Sequence, residues 1–324
     1  MDPGALLVVG FPGTELPSAV AEDLRAGALG GVIVFKRNLP TLEAAQALAA
    51  AARAAVPSGP PPLLAIDQEG GRVVRLPPPA FRPPPMREVG DTGDPEVARR
   101  MGRAIGESVA AAGFNLDFAP VLDVDSNPAN PIIGDRSFGR DPERVARMAL
   151  ALAEGLAEAG VLACGKHYPG HGDTHEDSHL ALPRVELDAA RLYAVELLPF
   201  REAASRGLES LMSAHVVYDA LDPGVPATLS RRIASELLRG ELGFRGVLFS
   251  DDLEMRALAD RMEVEESAVR AVEAGCDALL VCSDLALAGR AREALRARAR
   301  VDASFAARGA EACSRVAALR ARAR

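Results

Sequence analysis

The chain has 324 residues, 48% hydrophobic and 25% charged, a balance that excludes disorder and collagen-like or coiled-coil architectures. At this length a fold buries about 75% of the extended surface. Thirty-seven Lys and Arg against 45 Asp and Glu leave a net charge of −8, so a general attraction to nucleic acid or an anionic membrane is not expected.

The N-terminus, MDPGALLVVGFPGTELP, carries no basic leader, and its apolar run from Ala5 to Val9 is too short for a membrane span. The four cysteines, Cys164, Cys276, Cys282 and Cys313, have no C-x-x-C spacing and read as small reduced core residues. Both features predict a cytoplasmic protein. The 10 Phe and 3 Tyr, with no Trp, are too few to grip a long polysaccharide on stacked rings, which favours a short ligand.

Short apolar segments recur along the chain at Leu6 to Val9, Val32 to Phe35, Leu63 to Ile66, Leu116 to Ala119, Leu162 to Cys164, Leu211 to Met212, Val247 to Phe249 and Ala278 to Cys282. Alanine-rich stretches of helical period separate them: Ser18 to Ala26, Leu42 to Ala55, Pro95 to Ala112, Pro142 to Ala159, Arg191 to Ser205, Arg231 to Arg239 and Val264 to Ala274. This alternation demands a parallel sheet with right-handed crossovers. Eight such units predict an α/β fold, a closed (β/α)₈ barrel spanning 1–324 as a single domain, with C-terminal helices over about 284–324. The alternative, an open doubly wound sheet, lacks its G-x-G-x-x-G turn, because GFPGTELP follows the first strand. The PPPAFRPPP segment at 77–85 reads as a stiff surface loop. Arginines spaced from Arg290 to Arg324 read as a solvated helix face, with Phe305 the one aromatic among them able to stack on a base.

In such a barrel the active site lies at the carboxyl ends of the strands. Strand three runs into AIDQEGGRVVR with Asp67, Glu69, Arg72 and Arg75, and strand four into a segment bearing Asp123, Asp135 and Arg136. Strand five ends in GKHYPGHGDTHEDSH, strand six in SAHVVYDA with His215, and strand seven in FSDDLEM with Asp251 and Asp252. Five consecutive polar strand ends predict a converging pocket. Histidines at 167, 171, 175 and 179 have helical spacing, but Pro169, Gly170 and Gly172 break a helix there. The segment reads instead as a catalytic loop whose histidine exchanges protons, while ligation of a metal with Asp173 and Asp177 remains an alternative. Strand alternation lets only one of Asp251 and Asp252 face the pocket and does not say which. For Lys166, surroundings rich in Asp173, Glu176 and Asp177 favour the charged amine, so hydrogen bonding to hydroxyls is preferred over Schiff-base chemistry.

The motifs AIDQEGGRVVR, FAPVLDVDSNPANPIIGDRSFG, GKHYPGHGDTHEDSH, SAHVVYDALDPGVPATLS and GFRGVLFSDDLEM together resemble glycoside hydrolase family 3, most closely its single-domain bacterial β-N-acetylhexosaminidases of cell-wall recycling. The likeness runs from about Gly10 to Cys282. It implies a retaining exo-β-N-acetylglucosaminidase in which Asp251, the first aspartate of SDDL, attacks the anomeric carbon and forms a glycosyl-enzyme. It also implies that His179 is the acid/base, with Asp177 orienting it, and that the loop closes on bound sugar. By the same resemblance Asp67, Arg75, Arg136, Lys166 and His167 hold the terminal sugar; Met255 and His215 are weaker candidates, and Arg72 and Arg140 read as structural bridges. The implied substrate is a small carbohydrate of muropeptide type, with terminal N-acetylglucosamine β-linked to a muramic acid unit. The enzyme is expected to be a monomer without cofactor or metal and without nucleic-acid or membrane partners. A β-N-acetylglucosaminide phosphorylase or other β-glycosidase of the same family, and a sugar-binding protein without turnover, are the competing readings.

Overall fold

A computed structural model describes residues 2–175 and 182–323. Eight parallel strands close into a barrel: β1 (Leu7–Val9), β2 (Gly31–Val34), β3 (Leu63–Ile66), β4 (Leu116–Asp117), β5 (Leu162–Tyr168), β6 (Ser210–Ser213), β7 (Val247–Asp252) and β8 (Ala278–Val281). Each pairs with its neighbours in the chain, and β1 closes on β8 through the Leu7–Leu279, Val8–Leu280 and Val9–Val281 register. Every strand foreseen from the sequence is present. The interiors of β2, β3 and β8 are buried on both faces, as a sheet filled inside and sheathed by helices requires.

The helices begin where the sequence offers caps. Asp94 and Asp141 each accept a hydrogen bond from a first-turn amide, from Glu96 and Arg144 respectively, and each is followed by proline. The helices they open, Pro95–Ala111 and Pro142–Glu158, pack tightly because glycine sits at their crossing. A Cβ on Gly102 would lie 2.0 Å from the Leu152 carbonyl oxygen. The single helix predicted over Arg191 to Ser205 is instead broken into Ala189–Arg191, a wide turn at Leu192–Glu196, and Leu198–Ser205. The Leu197 amide reaches back five residues to the Leu192 carbonyl, and Pro199 has no N–H with which to continue the regular ladder.

The proline-rich loop forms no regular element and lies against the end of β3, where Gln68 Nε2 donates to the Phe81 carbonyl and the Gly71 amide to that of Pro83. The C-terminal helices, Leu285–Val301 and Ala303–Arg322, pack back onto the barrel. Their arginines are not simply a solvated face, as read from spacing. Arg308 and Arg315 turn inward onto buried Asp277, and Arg320 donates to the Pro60 and Pro61 carbonyls.

Candidate active site

The six predicted site residues that are described, Asp67, Arg75, Arg136, Lys166, His167 and Asp251, all line one cavity of about 210 Å³ at the carboxyl ends of the strands. Predicted His179 and Asp177 lie outside the described residues. Asp67 directly follows β3, Lys166 and His167 end β5, and Asp251 ends β7.

Two irregularities in the barrel decide which side chains face inward. Between β5 and β6, Lys166 pairs with Met212 and Tyr168 with Ser213, so β5 holds one extra residue at His167. Between β7 and β8, Phe249 pairs with Ala278 and Asp252 with Leu280, so β7 also holds one extra residue. A bulge resets the alternation of side chains. Lys166 and His167 therefore line the cavity together, and so do Asp251 and Asp252. The expectation that only one of the two aspartates faces the pocket holds for a regular strand and fails here.

The floor of the cavity is an ion-pair network. Lys166 Nζ lies 2.6 Å from Asp67 Oδ1 and 2.6 Å from Glu69 Oε1. Arg136 grips Glu69 with two parallel bonds, Nε to Oε2 and Nη2 to Oε1, both 2.8 Å. Arg75 stands 3.7 Å from the other oxygen of Asp67 and faces the Phe35 ring. Burial alone would raise the Glu69 pKa, but the Arg136 and Lys166 charges outweigh it and hold Glu69 well below the usual carboxylate range. Burial would likewise strip the proton from Lys166, and the carboxylates of Asp67 and Glu69 reverse that, keeping the amine charged. The charged form was anticipated; among the described residues its cause is Asp67 and Glu69.

His167 donates its amide to Asp123 and sets ring Nδ1 2.7 Å from Asp123 Oδ2. Asp123 is fully buried and also accepts the His171 amide at 2.7 Å. His171 packs its ring edgewise on His167, and burial, with His167 beside it, lowers its pKa to about 4, so it is neutral at physiological pH. His171 Nδ1 meets Thr174 and His175 Nδ1 meets Asn127. Among the described residues no group of three His, Cys, Asp or Glu side chains gathers to hold a metal ion.

Asp251 Oδ1 accepts the amide of Asp252, while Asp252 Oδ1 accepts those of Glu254 and Cys282, tying β7 to the end of β8. His215 is buried and reaches the Asp252 carbonyl through Nε2 at 3.0 Å, so it supports the end of β7. Met255 lines the cavity. Arg72 bonds the 131–133 carbonyls and Arg140 bonds Asp125, both outside the cavity lining, as structural bridges. Sequence reading left Glu69 and Asp123 without roles, although both stood in the polar strand-end clusters. It passed over Asp117, buried beneath Gln68, because a single acid in an apolar strand carries no pattern.

A closed parallel barrel with carboxylates and cations converging at its carboxyl end is a common enzyme architecture, and comparison with known proteins makes it specific. Residues 4–307 match the glycosyl hydrolase family 3 N-terminal domain. The chain belongs to glycoside hydrolase family 3. It is 39% identical over 301 residues to a β-hexosaminidase of Neisseria meningitidis serogroup C, covering 91% of this chain and 82% of that one. It is 41% identical over 284 residues to a β-hexosaminidase of Nitrosospira multiformis, covering 86% and 80%. Among solved structures, a family 3 β-N-acetylglucosaminidase from a Paenibacillus species superposes with a TM-score of 0.93 at 41% identity; the match covers 99% of this chain and 62% of that longer one. NagZ from Neisseria gonorrhoeae, in complex with N-trifluoroacetyl-D-glucosamine, superposes with a TM-score of 0.77 at 35% identity, covering 95% and 97%.

Proposed function

We propose that this glycoside hydrolase is a retaining exo-β-N-acetylglucosaminidase that releases terminal N-acetylglucosamine from muropeptide-type fragments of peptidoglycan. The observation that carries this reading is the position of Asp251 in one cavity with Asp67, Arg75, Arg136, Lys166 and His167, in a chain akin to β-hexosaminidases. We read 1–324 as one catalytic barrel domain, acting as a cytoplasmic monomer on a small carbohydrate, without membrane or nucleic-acid partners. Among the described residues no helix is long and apolar enough to cross a membrane.

In this mechanism Asp251 attacks the anomeric carbon and the aglycone leaves with a proton from His179, which Asp177 orients. Water, deprotonated by the same histidine, then cleaves the glycosyl-aspartate, so two inversions give net retention. Asp67 accepts from ring hydroxyls, and the charged Lys166, Arg75 and Arg136 donate to them. A substrate lacking one hydroxyl leaves a partner unpaired, which is the basis for discrimination.

Release of nitrophenol from the aryl β-N-acetylglucosaminide, beside the aryl β-glucoside and with Asp251→Ala as control, tests the reading. Preference for the N-acetyl sugar that vanishes in the variant is expected. Turnover retained by Asp251→Ala rejects the nucleophile, and phosphate-dependent release of a sugar phosphate converts the reading to a phosphorylase.

A further inference from the structure

Asp123 ties His167 and His171 to the segment after β4. It is fully buried among the residues that follow β4, yet it accepts from three donors that all belong to the other side of the site: the His167 amide, the His167 ring and the His171 amide. Its two oxygens divide the work. Oδ1 receives the His171 amide at 2.7 Å, while Oδ2 faces the His167 ring at Nδ1, also 2.7 Å away. A carboxylate is an acceptor only, so the ring nitrogen beside it must carry a proton. With Nδ1 turned to Asp123 and the ring lining the cavity, the opposite edge, bearing Nε2, is the one presented to a ligand.

We propose that Asp123 is a positioning residue that fixes the proton of His167 on Nδ1, so that Nε2 is the edge that accepts a hydrogen bond from a hydroxyl of the bound sugar. The inference deepens the functional reading above and rests on it. Its consequence is a division of labour in the cavity. Lys166, Arg75 and Arg136 are donors only, so hydroxyl protons need acceptors, and His167 joins Asp67 in supplying them. The charged and titratable groups around the ring are Asp123, His171, Lys166 and, through its field on His171, Asp251.

Asp123→Asn separates this role from a merely structural one. An asparagine oxygen at the Oδ1 position keeps the His171 amide, and its NH₂ then faces His167 Nδ1. That nitrogen must become an acceptor, and the proton moves to Nε2. A hydroxyl that gave its proton to Nε2 then meets a donor. The expected result is a KM for the aryl β-N-acetylglucosaminide raised about ten- to hundredfold, with kcat changed much less, because binding is lost in ground and transition states alike. In the His167→Ala background Asp123→Asn should raise KM no further. Nitrogen-15 spectra of histidine-labelled wild-type protein, with His167 assigned by its absence from His167→Ala, should show the proton on Nδ1.

A wild-type spectrum with the proton on Nε2 overturns the proposal, as does an unchanged KM in Asp123→Asn or an equal further loss in the His167→Ala background. Should Asp123→Asn fail to fold, the wild-type spectrum decides alone. An inactive wild-type chain would defeat the functional reading and leave the tautomer measurement intact.

Discussion

Asp251 and Asp252 are consecutive in the chain and both line the same cavity, because the extra residue in β7 opposite Leu279 interrupts the alternation that would send one of them away. They are not equivalent. Asp252 Oδ1 is held by the Glu254 and Cys282 amides, and burial, aided by the charges of Glu254 and Asp251, raises its pKa to about 7. A carboxyl engaged in holding two strand ends together and half protonated near neutrality is a poor nucleophile. Asp251→Asn should lower kcat at least about a thousandfold. Asp252→Asn, whose side-chain oxygen still accepts both amides, should stay within about tenfold of wild type. Steady-state rates on the aryl N-acetylglucosaminide check both; a reversed order exchanges the roles.

Glu69 is the keystone of the cation cluster: among the described residues it is the one carboxylate bonded to both Lys166 and Arg136. Glu69→Gln removes its charge and leaves two buried cations with Asp67 and the more distant Asp123 to balance them. Breaking a buried pair by neutralising one partner costs about 3–5 kcal/mol, and urea denaturation should show a loss of that order. A midpoint unchanged from wild type would mean that solvent compensates Lys166 and Arg136.

Arg136 has a second edge. Its bonds to Glu69 use Nε and Nη2, while among the described residues Nη1 bonds the Ile132 carbonyl at 3.2 Å. Arg136→Ala should raise KM strongly, through lost donors and a less restrained Glu69. Unchanged saturation would place Arg136 outside the sugar's reach.

The barrel was legible because each β/α unit repeats the same two periods, and a run such as Leu63–Ile66 admits little but a buried strand. The residues of the site were legible as strand-end clusters, and the choice of Asp251 came from family resemblance. What could not be read were the bulges at His167 and in β7, since a bulge depends on the neighbouring strand's register and leaves no local mark. The same holds for Glu69 and Asp123, whose importance lies in partners 67 and 44 residues away along the chain. The break at Leu192–Glu196 was signalled by Pro199, a proline inside a helical pattern.

Stability should fall on the alkaline side because of Asp117. Burial raises its pKa from the ordinary carboxylate range to about 8. A folded-state pKa above the unfolded one means that stability is greatest below about pH 4 with respect to this group, and is lost as pH rises toward 8. Asp252, at about 7, adds to the same trend. Glu69 and Asp123, both lowered, act oppositely, giving stability above the ordinary carboxylate range that is lost in acid. Asp117→Asn keeps an oxygen for the Gln68 amide and removes the titration. Its melting temperature should therefore decline less than that of wild type between pH 5 and pH 8. Parallel declines would assign the alkaline loss elsewhere.

At the opposite end of the barrel Asp277, fully buried just before β8, accepts from Arg239, Arg308 and Arg315 and from the Leu248 amide. Arg308 and Arg315 both lie on the last helix, Ala303–Arg322, so this single carboxylate fastens that helix to β7 and β8. Asp277→Asn preserves one oxygen for the amide and withdraws the charge that three arginines share, at a cost of about 3–5 kcal/mol. Because the cavity lies at the other end of the strands, KM for the aryl N-acetylglucosaminide should be unchanged at temperatures where the variant is folded. A change in KM without loss of stability would show that the barrel transmits strain from its base to its mouth, and that the last helix shapes the site as well as closing the fold.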